Sequence, residues 1–319
     1  MKSQEQIDSA ERGILGGEEE YLKDWVKDTK RWEALGLYLK VAEFAAPQNG
    51  RFTVDIGTGL GMQLVFLAAA NERGLYVGTE RTPRNVELAK RYLNELGLDA
   101  VTMLLTQGLA VDAEDRLFWE QRHLPHLKSI RPQIRAALEQ QVLLMDDDIR
   151  RPQSLPVVLD GEKVDTAILS LPGGSASRAY EWPFVAEQID QHEVRRRTVQ
   201  VSNDTRAGFY HFASQTVRDG GKAIVAERLT SDDTDGAGSA LALISQQMGP
   251  YAKYWRAGRV AMMKSNELPQ QVTLLATHEG RQLGKADLQK YGLQMRLAII
   301  ELFRNKKAFD EAPLPEPRK

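Results

Sequence analysis

The chain of 319 residues carries 42 Lys and Arg against 44 Asp and Glu, a formal charge of -2, with 42% hydrophobic and 27% charged residues. That balance is ordinary for a folded globular protein and gives no global electrostatic reason for nucleic-acid binding. There is no Cys, which excludes disulfides, thiolate metal sites and cysteine nucleophiles.

The opening stretch MKSQEQIDSAERGILGGEEEY lacks the apolar core of a signal peptide, and no run approaches about 18 apolar residues. The expectation is a soluble, cytoplasmic protein. From Tyr21 to Ala46 the chain reads as helix, with Leu22, Trp25, Val26, Trp32, Leu35, Leu37 and Leu39 at near-helical spacing. Residues 1–48 are therefore expected to form a helical cap ahead of a single domain over residues 49–319. PQNG breaks the helix.

Strands and helices then alternate. FTVDIG predicts a strand, GMQLVFLAAANE a helix, GLYVGTE a strand, and TPRNVELAKRYLNELG a helix with Thr82 as N-cap and Pro83 as first residue. Such alternation implies right-handed crossovers and a parallel sheet. The segment beginning AVTMLL opens with residues suited to a strand but continues as helix-forming sequence too long for a simple connection. A helical insertion is expected over about residues 109–141, and a second insertion over about 174–203.

VLLMDDDIRRP predicts a strand running into an acidic turn, and KVDTAILSLPGG a buried strand ending at a Gly pair. A helix over TRAGFYHFASQTVRDGG, a strand over KAIVAERL and a helix around GSALALISQQMG follow. The late apolar runs RVAMMKS and QVTLLATHE are expected to pair as an antiparallel hairpin at the sheet edge. The sum is about seven strands in one mostly parallel sheet with helices on both faces, a Rossmann-like α/β fold.

The loop VDIGTGLGMQ, Val54 to Gln63, carries the chemistry. A dinucleotide fingerprint requires G-x-G-x-x-G, the third glycine allowing close helix packing. Here the glycines are Gly57, Gly59 and Gly61, and Met62 stands at that third place. Asp55, two residues before the first glycine, would repel a pyrophosphate. A carboxylate there suits a cation or an amine, so the loop fits a zwitterionic ligand better than a phosphate.

VDIGTGLG resembles the first motif of the class I S-adenosylmethionine-dependent methyltransferases: an acid, any residue, then three glycines at alternate positions. The resemblance extends over roughly Val54 to Leu229 and implies S-adenosylmethionine as cofactor. It places Asp55, Gly57, Thr58, Gly59 and Gly61 around the methionine part. It gives Glu80, at the end of the second strand and followed by Arg81, the ribose hydroxyls. For the adenine amino group it offers the run Asp146, Asp147 and Asp148, with Asp148 and Ile149 best aligned to an acid followed by an apolar residue, and Asp147 second. Ser170 and Leu171 then lie beside the transferable methyl group, with Pro172 towards the substrate. SLPGG lacks the Asn or Asp and the aromatic expected of enzymes that methylate exocyclic amines of adenine by that route.

Tyr180 and Trp182, with Glu181 between them, follow the fourth strand and suit either contact with substrate or anchoring of their own loop. The cluster Arg195, Arg196 and Arg197, with Arg150 and Arg151, suits a solvated helix face or a phosphate or carboxylate on the substrate. Five scattered histidines, His192 among them, assemble neither a zinc site nor an evident general base, so no metal is expected and no catalytic residue is assigned. The expected function is methyl transfer to a small molecule or a peptide side chain. Alternatives are an RNA methyltransferase, transfer of the aminocarboxypropyl or aminopropyl arm, and a catalytically silent binding protein. The apolar helices of the cap and the first insertion suit either a pocket cover or a homo-oligomer contact.

Overall fold

The computed structural model describes residues 32–59, 61–81, 83–95, 97–105, 124–150, 154–170, 191–229, 237–264 and 296–305. Helix α1 (Trp32–Ala45) precedes strand β1 (Phe52–Ile56), α2 (Met62–Ala70), β2 (Leu75–Glu80), α3 (Pro83–Glu95) and β3 (Ala100–Met103). Next come the short helices α4 (Leu124–Ser129) and α5 (Arg131–Leu138), β4 (Val142–Asp146), α6 (Ser154–Leu159) and β5 (Val164–Ser170). The chain continues through α7 (Gln191–Thr216), β6 (Val217–Leu229), α8 (Ala237–Met248), β7 (Trp255–Lys264) and β8 (Arg296–Arg304).

Among the described residues eight strands form one sheet, in the order β3-β4-β2-β1-β5-β6-β8-β7. Every neighbouring pair is parallel except those made by β8, which runs antiparallel between β6 and β7. One strand more than expected is present, because Ala100–Met103 pairs in parallel with β4 at the sheet edge before the helical insertion begins. The partner of the RVAMMKS strand is Arg296–Arg304. QVTLLATHE, expected in that role, lies outside the described residues, as do residues 1–31 of the cap.

Alternation along each strand sends its side chains to two separate cores. Val54, Ile56, Leu143, Met145, Ala167, Leu169 and Val225 pack with α4 to α8 on one face. Tyr76, Leu144, Ile168, Ile224 and Ile299 pack with α1, α2 and α3 on the other. The cap helix α1 is thus integral to the second core, with Leu37, Val41 and Ala45 fully buried. Two cations cover its C-terminal end: Lys222 Nζ and an Arg259 guanidinium nitrogen donate to the Phe44 carbonyl at 2.8 and 3.1 Å, and both pair with Glu301. Such contacts satisfy a carbonyl at the helix end and favour its dipole.

Candidate functional site

The chain order reverses between β1 and β5, where β1 lies between β2 on one side and β5 on the other. In doubly wound sheets this switch point opens a crevice at the C-terminal strand ends. The glycine loop occupies that place. Gly57, Gly59 and Gly61 have φ of 67°, 56° and 79°, left-handed values that side-chain-bearing residues rarely adopt. Gly61 also lets the turn approach α3, since a Cβ there would lie 3.0 Å from Leu93 Cδ1. The Thr58 N–H donates to the Thr79 carbonyl at 2.9 Å, tying the loop to the end of β2.

Two carboxylates rise from this frame on the α1–α3 face. Asp55 is in register with Gly78, so Glu80 projects from the same face two residues further on. Asp55 is 2% exposed and its Oδ2 accepts from the Thr58 hydroxyl at 2.7 Å. Burial pushes its carboxyl up to about 7; the Thr58 hydrogen bond opposes the rise and the charge of Glu80 adds to it. Glu80 accepts from the Gly59 N–H at 3.3 Å and the Arg81 N–H at 2.9 Å. Burial raises its pKa too, against those N–H groups, the Arg81 charge and the Asn85 side chain.

No cationic side chain among the described residues pairs with Asp55. The loop is therefore poorly suited to a phosphate and well suited to a ligand bringing positive charge and hydroxyl donors.

The three consecutive acids after β4 find three different partners. Asp146 accepts from the Leu105 N–H and so fastens the strand to the segment after β3. Asp147 Oδ2 accepts from the Ser154 and Leu155 N–H groups at 3.1 and 2.6 Å, and its Oδ1 accepts from the Asp148 N–H at 3.0 Å. It acts as a cap for α6. Asp148 receives the Arg150 guanidinium on both oxygens and the Arg150 N–H at 3.0 Å. Arg81 lies in the same cluster, where burial and the nearby Arg150 lower its pKa against Asp148 and Glu80. Ile149 is buried in the core beside Met145.

Ser170 ends β5 with a buried hydroxyl that has no hydrogen-bond partner among the described residues. Leu171, Pro172, Tyr180 and Trp182 lie outside the described residues, as does Arg151. His192 and Arg195 to Arg197 fall within the span of α7. Among the described residues no group of three or more His, Asp or Glu could hold a metal ion. No described helix is long and apolar enough to cross a membrane.

Two features escaped the sequence reading. Arg206 of α7 forms a bidentate pair with the buried Glu227 of β6 at 2.6 and 2.8 Å, at the same strand end as the loop. An acid closing an apolar strand, as in KAIVAERL, was a signal of the same kind as Glu80. Gln63 is 2% exposed on α2, and a lone polar residue in MQLVFLAAA was likewise visible.

The strand order, the reversal at β1 and the antiparallel insertion of β8 decide the architecture. The chain has a Rossmann-like α/β fold, a doubly wound sheet with one antiparallel strand inserted next to its edge. No protein-family profile and no curated sequence matches it. Solved structures similar to it include the cyclase SpnF, with 14% identity, a TM-score of 0.45, and coverage of 84% of this chain and 80% of that one. A precorrin-6y methyltransferase from Geobacter metallireducens has 10% identity and a TM-score of 0.39, covering 84% and 87%. TrmN from Thermus thermophilus has 11% identity and a TM-score of 0.43; 84% of this chain matches, spanning 48% of that chain. Likeness of this degree carries nothing about the chemistry of the site.

Proposed function

We propose that the chain is an S-adenosylmethionine-dependent methyltransferase acting on a small molecule or a peptide side chain. The observation that carries this reading is the pair Asp55, buried, and Glu80, half-buried: two carboxylates on one sheet face at the switch point, both bonded to the glycine turn. The residues present fit the cofactor. Asp55 would accept from its ammonium group and Glu80 from the ribose hydroxyls, while the loop glycines leave room for close backbone approach. For adenine, Asp148 and Ile149 follow β4 near the strand ends, and Asp148 would have to share with the ligand a carboxylate that now holds Arg150 on both oxygens. Ser170, whose hydroxyl has no partner among the described residues, stands at the tip of β5.

When bound, the cofactor supplies a methyl group on a sulfonium that is its own leaving group. The protein's share is then to align a nucleophile and to remove its proton where it has one. The near-neutral chain favours a small or peptidic acceptor over RNA.

Calorimetric titration with S-adenosylmethionine tests the reading. Binding is expected for the wild type, with loss of most affinity in Asp55→Ala and in Glu80→Ala. Unchanged binding in both variants would overturn it. Incubation with methyl-labelled and carboxypropyl-labelled cofactor, followed by product analysis, separates methyl transfer from transfer of the longer arm.

A further inference from the structure

Helix α7 is held at the C-terminal end of the sheet by two contacts only two residues apart. At Gly208 its backbone meets the turn after β4: a Cβ there would lie 2.7 Å from Arg150 Cα and closer still to the Ile149 carbonyl oxygen. At Arg206 its side chain reaches the end of β6 through the bidentate pair with Glu227. Strands β2, β1 and β5 lie between β4 and β6, so this part of α7 passes across the switch point. Ser170, the last residue of β5, is in register with Ala226, the neighbour of Glu227. Glu227 follows the alternation of Val225 and projects on the α4–α8 face, opposite to Asp55 and Glu80. The strand ends thus carry two carboxylates on one side and a guanidinium on the other.

The Arg206 and Glu227 side chains are 15% and 4% exposed. Withdrawing two charges from water costs about as much as their attraction returns, and apolar side chains of similar size would join helix to strand as well. The pair is also lopsided. Both Glu227 oxygens are taken up by one edge of the guanidinium, Nε and Nη2. Nη1 makes no hydrogen bond among the described residues and is not enclosed. Arginine has five N–H donors in a rigid plane, so the edge formed by Nη1 and the second Nη2 hydrogen stays open. A fork clamped on one edge presents the other at a fixed angle, and that edge matches the two oxygens of a carboxylate.

We propose that Arg206 recognises a carboxylate on the methyl acceptor and that Glu227 is the positioning residue that aims it. This rests on the cofactor reading above and narrows the acceptor to molecules bearing an acid group, taken up on the α7 side of the strand ends. Glu227 already balances the Arg206 charge, so a singly charged carboxylate suits the open edge better than a doubly charged phosphate.

The test uses the full chain saturated with S-adenosylhomocysteine and two probes of one shape, benzoate and its neutral counterpart benzamide, titrated by ligand-observed NMR. Wild type is expected to bind benzoate at least about tenfold more tightly than benzamide. Arg206→Met alone would strand a buried carboxylate, so the variant is Arg206→Met with Glu227→Met, which removes both charges at similar volume. It should lose the preference for benzoate and keep its affinity for S-adenosylhomocysteine within about twofold. Arg206→Lys, which keeps the charge without the fork, should weaken benzoate about tenfold and decides the matter if thermal unfolding shows the double variant to be misfolded. Wild type that does not distinguish the probes, or variants that bind benzoate as the wild type does, overturn the inference. A tenfold loss of S-adenosylhomocysteine affinity in the double variant overturns it as well, by assigning Arg206 to the cofactor's own carboxylate. If the wild type does not bind S-adenosylhomocysteine, the cofactor reading fails and this inference falls with it.

Discussion

The Thr58 hydroxyl donates to the Asp55 carboxylate at 2.7 Å, from the turn that directly follows the strand carrying Asp55. One neutral donor does not offset the burial of a charge, and the pKa of about 7 expresses that imbalance.

A consequence is that ligand-free protein is less stable when Asp55 is ionised. The folded-state pKa is raised above the unfolded value of about 3.9, so the contribution of this group is fully present below that value and is lost as pH rises through 7. Asp55→Asn should therefore stabilise the fold at pH 8, on the order of a few kcal/mol at most and visible as a higher Tm, and leave stability nearly unchanged at pH 4. The same titration should make S-adenosylmethionine bind more tightly as pH rises from about 6 to 8, in line with ionisation of the carboxylate. Thermal unfolding and calorimetry over that range check both.

Gly78 should resist any side chain. A Cβ there would lie 2.8 Å from Leu64, 2.9 Å from Leu144 and 3.0 Å from Thr58, which joins the loop to the core below it. Gly78→Ala is expected to cost about 1–3 kcal/mol and to weaken cofactor binding by displacing Thr58. Denaturant unfolding measures the first effect. A variant of wild-type stability would contradict the packing described.

The adjacent acids Asp147 and Asp148 should separate cleanly on substitution. Asp147→Ala leaves the Ser154 and Leu155 N–H groups without their acceptor and should cost about 1–3 kcal/mol of stability, with cofactor affinity little changed in the folded variant. Asp148→Asn should lower cofactor affinity more than stability. Paired unfolding and binding measurements distinguish the two, and the reverse pattern would assign the adenine contact to Asp147.

Glu301 should anchor the cap helix in a pH-dependent way. Burial pushes its carboxyl up, but the Arg259 hydrogen bonds and the charges of Lys222 and Arg259 outweigh burial and hold it below the usual range. A depressed folded pKa means stability present above the unfolded value of about 4.3 and lost as pH falls through the folded value. Glu301→Gln is expected to lower stability at pH 7 by about 1–2 kcal/mol, a figure discounted for the half-exposed Arg259 side chain, and to flatten the acid limb of the stability profile. Hydrogen exchange of the α1 amides should quicken in the same variant.

The alternation of strand and helix, the acid before the glycine turn and Glu80 at the next strand end were all legible locally, because each is a short pattern with its own periodicity or turn chemistry. The seat of β8 between β6 and β7 was not, since pairing of Arg296–Arg304 with residues about 70 positions earlier depends on which sheet edge is left open. The sequence favoured Asp148 of the three consecutive aspartates for the ligand but carried no sign of their separate partners, because one-residue steps at a strand end send each side chain in a different direction. The Arg206–Glu227 pair spans 21 residues and forms only when α7 packs on the sheet.

By itself the sequence determined the fold class and the position of the loop, because hydrophobic period and glycine placement act through neighbouring residues. The sequence also indicated a ligand bringing a cation or an amine; only the tertiary structure decided how strongly the loop demands one. Asp55 and Glu80 become acceptors in need of a cation or a hydroxyl because α1, α2 and α3 exclude water from one face of the sheet, and the free energy of a carboxylate depends on what surrounds it rather than on its place in the chain.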